Sequence, residues 1–260
     1  MKLQKSVMAL AIALSVTIAS CKKDDVEDIL EETPAPTSVT PSYSYKANDA
    51  DAVFAAVNAV TYQDVPIVGL QKIDINTAVA VFFSTPGNKP YVNGGTVSCE
   101  GKALTPDTSN AYLFVPSGTE TITFSGNTDW SIGGNSTSGM PAKNFTSSSP
   151  VPSYNGITSG SLTKTFNRTS DLTITINGTI SNADSVFVTV SSGSAYLQKV
   201  VAANSNCTFT AAQLGTLGAT NGSASGIIQV APFSIESTTT SGKKYYFVNE
   251  AAYTQFVTVE

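Results

Sequence analysis

Asp49 and Asp51 sit two residues apart, a spacing that offers several oxygens to one calcium ion. No Asp-x-Asp-x-Asp-Gly run follows them, so a turn and cap role is expected instead. Glu100, Glu120, Asp129 and Asp171 form the pool from which a carboxylate acid/base pair for glycoside hydrolysis would be drawn. Their spacing singles out no pair, and isolated surface acids are the expectation. Trp130, Tyr91, Tyr112, Tyr154, Tyr245 and Tyr253 supply flat rings of the kind that stack on sugars; Trp130, Tyr154 and Tyr253 are taken forward as candidate ligand-stacking residues. Against this, Trp130 is in phase with Ile132, which predicts a core position for it. Cys99 and Cys207 fall on inward-facing strand positions and read as two buried free thiols rather than a disulfide.

Histidine is absent. That excludes a Ser-His-Asp or Cys-His nucleophile site and any His-ligated zinc or iron. No metal site, cofactor or catalytic residue is assigned. Arg168 is the sole arginine, the net charge is −5 and the pI is about 4.7, which argue against a nucleic-acid partner.

These side chains must be positioned by strands. Charged residues make up 13% of the chain, while 65 of 260 residues are Ser or Thr. Thr and Val suit a pleated surface, and Ser, Gly and Asn suit turns. Long helices want Leu, Glu, Lys and Arg, which are scarce here.

Residues 1–20 read as a secretory signal: Lys2 and Lys5, then an apolar run from Val7 to Ile18. The run of about 12 residues is too short to cross ~30 Å of hydrocarbon at 1.5 Å per residue. Ile18-Ala19-Ser20-Cys21 resembles a bacterial lipobox, which implies that Cys21 receives a diacylglycerol and becomes the new N-terminus. Two or three acyl chains hold a protein firmly on a bilayer. Lys22, Lys23, Asp24 and Asp25, continuing into Glu27, Asp28, Glu31 and Glu32, resemble the surface-export signal of Bacteroidota lipoproteins. That resemblance implies an outer-membrane location facing the exterior, and it covers residues 1 to about 32. Residues 21–45, acidic and then Pro-rich, read as a disordered tether.

Short apolar alternations fill the rest. The first half shows strands at 67–75, 77–84, 96–99, 111–115 and 121–124, with Trp130 and Ile132 alternating with Asp129 and Ser131. Ile73 and Ile75 share one face of their strand, Lys72 and Asp74 the other. Residues 49–62 read as a strand rather than a helix. The Gly-, Ser- and Pro-rich stretch 133–160 reads as a linker. In the second half Leu172, Ile174 and Ile176 share a face, as do Val186, Val188 and Val190. Thr210 to Gln213 matches a capping box. Residues 227–233 form a strand, and 244–249 with 253–259 a terminal hairpin. The expected fold is all-β: a β-sandwich domain at 46–143 and an immunoglobulin- or fibronectin-like sandwich at 144–260. The 77–83 strand, the Trp130 strand and Ser181 to Val186 are similar to two-domain β-sandwich lipoproteins of the same bacterial group. That likeness brings no catalytic residue. Asp184-Ser185-Val186 also resembles an O-glycosylation site of that group, though a packed strand is the expected role.

The expected function is non-catalytic binding or display at the cell surface: adhesion, glycan capture or service as an accessory subunit of an outer-membrane assembly. The partners expected are a membrane through the lipid anchor and a glycan or another surface protein. A pilin-like fimbrial subunit is the first alternative, and a carboxylate-dependent glycoside hydrolase the second.

Overall fold

The computed structural model describes residues 49–65, 69–117, 120–154, 164–176, 180–183, 185–203, 205–222 and 224–260, without the side chains of 62–71. Cys21, Lys22, Lys23, Asp24 and Asp25 lie outside the described residues. The first nine strands are β1 (Ala52–Val65), β2 (Gly69–Thr85), β3 (Asn88–Tyr91), β4 (Val97–Cys99), β5 (Lys102–Ala103), β6 (Thr105–Pro106), β7 (Tyr112–Phe114), β8 (Asn127–Ile132) and β9 (Lys143–Pro150). The others are β10 (Ser153–Tyr154), β11 (Thr165–Phe166), β12 (Leu172–Ile174), β13 (Ile180–Ser181), β14 (Ser185–Ser192), β15 (Ala195–Ala202), β16 (Cys207–Phe209), β17 (Gly226–Thr240) and β18 (Lys243–Val259). A short helix, α1 (Ala211–Leu214), precedes β17. The chain is all-β and sandwich-like.

A ten-stranded sheet forms the frame, in the order β15-β14-β17-β18-β1-β2-β7-β6, with β11 added on β18 and β3 on β2. Its centre is two long hairpins laid side by side, β1–β2 and β17–β18. They meet through a parallel pair, in which Ala52 lies beside Tyr245 and Tyr62 beside Gln255. Central strands buried on both faces read as near-continuous apolar runs. Ala52 to Val57 and Ala78 to Phe83 are such runs, and all but Ala55 are buried. The β17–β18 hairpin closes on Ser241 and Gly242, with φ of 51° and 76°. Two positive values in a two-residue loop match the right-handed twist of the strands it joins.

The inner face of this sheet carries two apolar cores, one toward each end of the long strands. The first packs Phe54, Phe82, Tyr112 and Phe247 against Val97, Cys99, Trp130 and Ile132 of the four-stranded sheet β5-β4-β8-β9. Gly94 lies at its edge, because a Cβ there would stand 2.2 Å from the Phe82 ring. The second packs Val60, Val188, Val230 and Val257 against Tyr154, Phe166, Ile174 and Phe209. Its facing layer holds two two-stranded pairs, β12–β16 and β10–β13, with α1 beside them.

Three expected elements are redrawn. Residues 244–249 and 253–259 belong to one strand, β18, rather than a hairpin; Glu250, Ala251 and Ala252 are buried and paired across it, so no turn forms. The strands expected at 67–75 and 77–84 are likewise one from Gly69 on, β2, with 67 and 68 outside the described residues. Residues 143–150, read as linker, form β9 and pair with β8. Serine and threonine at 146–149 are turn formers in isolation, but here they complete an edge. The long sheet runs through both halves of the chain: β18, from 144–260, pairs with β1, from 46–143.

Candidate functional site

The rings weighed for ligand stacking are structural. Trp130, Tyr154 and Tyr253 are 3%, 5% and 7% exposed. Trp130 packs edge-on against Phe54 with ring centres 5.2 Å apart, and Tyr154 against Tyr253 at 5.3 Å. The Tyr253 hydroxyl also accepts a hydrogen bond from the Tyr154 backbone N–H at 2.9 Å. A stacking ring needs an open face, and these have none; the assignment of all three to a ligand is corrected to core packing. Tyr91, Tyr112 and Tyr245 are buried as well.

Cys99 and Cys207 are free, buried and in different cores. Burial pushes the Cys207 thiol up to about 11 and raises Cys99 further, so both are thiols rather than thiolates at neutral pH.

The acids are engaged locally. Asp51, nearly buried, accepts hydrogen bonds from Lys243 Nζ (2.9 Å) and the Lys244 N–H (2.8 Å). Asp49 accepts from Lys244 Nζ (2.6 Å) and the Tyr246 hydroxyl (2.8 Å). Burial alone would raise Asp49, but these bonds outweigh it and hold the carboxyl below its ordinary range. The pair therefore ties the start of β1 to the start of β18. Of the four candidate hydrolase carboxylates, Glu100 and Asp129 come together: Glu100 Oε1 accepts from the Asp129 N–H at 2.7 Å, and Asp129 from Thr146 Oγ1 at 2.6 Å. Asp171 sits in the other lobe and accepts from the N–H of Ala211, the first residue of α1. Glu120 meets Lys102 at 4.0 Å on the surface. These contacts fix strand and helix ends. Ser185 is 1% exposed, which shields its hydroxyl from a modifying enzyme.

One polar cluster stands apart. Along β2 the inner-face positions change from Phe82, Ala80 and Ala78 to Asn76, Asp74 and Lys72. The apolar face thus ends in a polar shelf beside the second lobe. Asn58 on β1 completes it. The Asn58 amide donates to Asp74 Oδ1 (2.5 Å) and to Asn76 Oδ1 (2.7 Å), Lys72 Nζ donates to Asp74 Oδ2 (3.0 Å), and Asn76 Nδ2 donates to the Ile122 carbonyl (3.0 Å). Lys72 and Asp74 side chains are 51% and 45% exposed. Mutual hydrogen bonds hold four planar or charged groups in place while leaving their outer edges in water. A carboxylate, an ammonium and two amides in a fixed array match neighbouring hydroxyls, which donate to the first and accept from the others. The alternation of Lys72 and Asp74 with Ile73 and Ile75 was visible in the sequence. The contribution of Asn58 was not, since it comes from pairing with Asn76 across the hairpin.

The opposite, outer face of the sheet is largely apolar, with Thr61, Thr77, Thr189 and Gln229 also buried on it. Glu250, 3% exposed, lies between Val57 and Phe233 on the neighbouring strands. Its Oε2 has no hydrogen-bond partner among the described residues, and burial raises the carboxyl to about 7.

Comparison of the chain with protein-family models, with curated proteins and with solved structures gives no match.

Proposed function

We propose that the chain is a lipoprotein of the bacterial outer membrane, facing the exterior, whose β-sandwich body binds or displays rather than catalyses. The observation that carries this reading is the position of Cys21: it stands where the apolar run of 7–18 has ended, behind Ile18-Ala19-Ser20 and ahead of Lys22-Lys23-Asp24-Asp25. The body supports it. Glu100, Asp129 and Asp171 are engaged at strand and helix ends, Cys99 and Cys207 are buried, and Trp130, Tyr154 and Tyr253 fill cores.

The shelf of Asn58, Lys72, Asp74 and Asn76 is the contact point we assign to a hydroxyl-rich ligand, of which a glycan is the natural class. Protease treatment of intact cells tests the location: peptides from the body must be released without lysis. Their appearance only after cell disruption would remove the surface assignment. Glycan-array binding by the purified body tests the ligand class.

A further inference from the structure

The ten-stranded sheet ends differently on its two sides. One end is β6, two residues long and closed by Pro106, which has no N–H to offer a further strand. Short, proline-bearing edges are one way in which sheets avoid pairing with other chains. The other end is β15, eight residues from Ala195 to Ala202. Among the described residues only β14 pairs with it. Its exposure agrees: none of the eight residues of β15 is buried, whereas seven of the eight in β14 are.

Charge does not guard this edge. Lys199 is the sole charged residue of β15, and its ammonium is drawn over the inner layer, donating to the Thr208 carbonyl at 2.7 Å and standing 5.2 Å from the centre of the Phe209 ring. From 185 to 210 the sequence holds no other charged residue, in a chain of net charge −5, so two copies repel each other least here. Tyr196 lies on the strand with 51% of its surface exposed. The sequence of β15 also matches itself. Directly opposite residues of an antiparallel pair share a face, so a symmetric pairing matches outer-face Tyr196, Gln198 and Val200 among themselves, and inner-face Leu197, Lys199 and Val201 among themselves. Two registers centred on the strand do this. One sets Lys199 against Lys199, and like charges directly opposite are destabilising. The other sets Gln198 against Gln198, Tyr196 against Val200 and Leu197 against the stem of Lys199. It places an aromatic ring on a β-branched side chain, a favourable cross-strand pair.

We propose that β15 pairs antiparallel with β15 of a second copy of this chain, about a two-fold axis at Gln198, joining two ten-stranded sheets into one. Main-chain hydrogen bonds along the edge supply the attraction, and the Tyr196–Val200 contact on either side of the axis fixes the register. This inference is independent of lipidation and of glycan binding, because it rests on the exposure, charge and sequence of one edge strand.

Cysteine placed at the axis tests it in the full-length protein purified in detergent. With Gln198→Cys the two thiols face each other at a Cα separation within the range of about 4.4–6.8 Å that a disulfide spans. With Tyr196→Cys they stand about 13 Å apart along the strands, although position 196 is the more exposed. Under mild oxidation Gln198→Cys should give a disulfide-linked dimer at about ten times the yield of Tyr196→Cys or of the wild type. Equal yields at the two positions, a higher yield at 196, a link from position 198 to a different protein, or no dimer would each overturn the proposal. As a second measurement, sedimentation of the wild type in density-matched detergent should give twice the chain mass. Tyr196→Lys combined with Gln198→Lys should give a single chain mass with unchanged circular dichroism. A single chain mass for the wild type, or a dimer that survives both lysines, would also overturn it.

Discussion

Val57 and Glu250 are register partners on the parallel strands β1 and β18, so a carboxyl is held against an apolar neighbour with no hydrogen bond to its Oε2 among the described residues. Burial raises its pKa from 4.5 to about 7 in the folded chain. Between those values the folded state holds a proton that the unfolded state releases, so the contribution of Glu250 to stability falls as pH rises from about 4.5 to 7 and is flat beyond. A shift of this size corresponds to about 3 kcal/mol. Urea unfolding at pH 5 and pH 8 measures it: Glu250→Leu should abolish this part of the pH dependence and be the more stable protein at pH 8. Loss of stability by the variant at pH 8 would mean that the carboxyl has a stabilising role there.

Trp130 fills the first core, and its indole N–H has no partner among the described residues. Trp130→Ala should cost about 3–5 kcal/mol by leaving a cavity. Trp130→Phe should cost much less, because it keeps an aromatic ring against Phe54 and removes a donor whose desolvation is uncompensated, a penalty of about 1–3 kcal/mol. Denaturant midpoints of the two variants give the comparison, and equal losses would place the value of Trp130 in its nitrogen.

Asp51 and Asp49 should separate on substitution. Asp51 is nearly buried, with Lys243 and the Lys244 N–H on its two oxygens, so Asp51→Ala should cost about 2–3 kcal/mol. Asp49 is half exposed, and its solvent-screened pair with Lys244 should be worth less than the buried contacts of Asp51. Because the carboxyl of Asp49 is held below its ordinary range, its contribution is present at neutral pH and fades as pH falls through the folded value. Thermal unfolding of each alanine variant at pH 7 checks the order.

The shelf predicts a change in binding without a change in fold. Asp74→Ala and Asn58→Ala should each lower any glycan binding by the body about tenfold or more, for the loss of a charge-assisted or paired hydrogen bond. Asp74→Ala should leave the unfolding free energy within about 1 kcal/mol, since its side chain is a surface group, whereas Asn58→Ala, which removes a half-buried amide with two acceptors, should cost about 1–2 kcal/mol. Calorimetry against the best array ligand reads the first effect and urea unfolding the second.

Local pattern made much of the fold legible. The alternation of Trp130 and Ile132, of Val186, Val188 and Val190, and of Cys207 and Phe209 marks faces that are buried in the structure. Thr210 and Gln213 form the reciprocal capping bonds that their spacing implied, at 3.3 Å and 3.0 Å. Non-local pairing stayed hidden. Nothing near Glu250 in the sequence shows that β1 lies parallel beside it, and a charged residue followed by two alanines is as good a turn as a buried strand centre. The length of β17 escaped for the same reason: Ile235 to Thr240 carries too much Ser and Thr to stand out, and only its partner β18 makes it a strand. The aromatic pool could not be divided between core and surface from spacing, because strand alternation shows which rings share a face but not which face is covered.

The anchor remains the centre of the account. Mass spectrometry of the N-terminal peptide from the membrane fraction is the direct test. The account predicts a chain that begins at Cys21, carries a diacylglycerol on the thiol and has lost residues 1–20. An unmodified Cys21 within an uncut chain would contradict it.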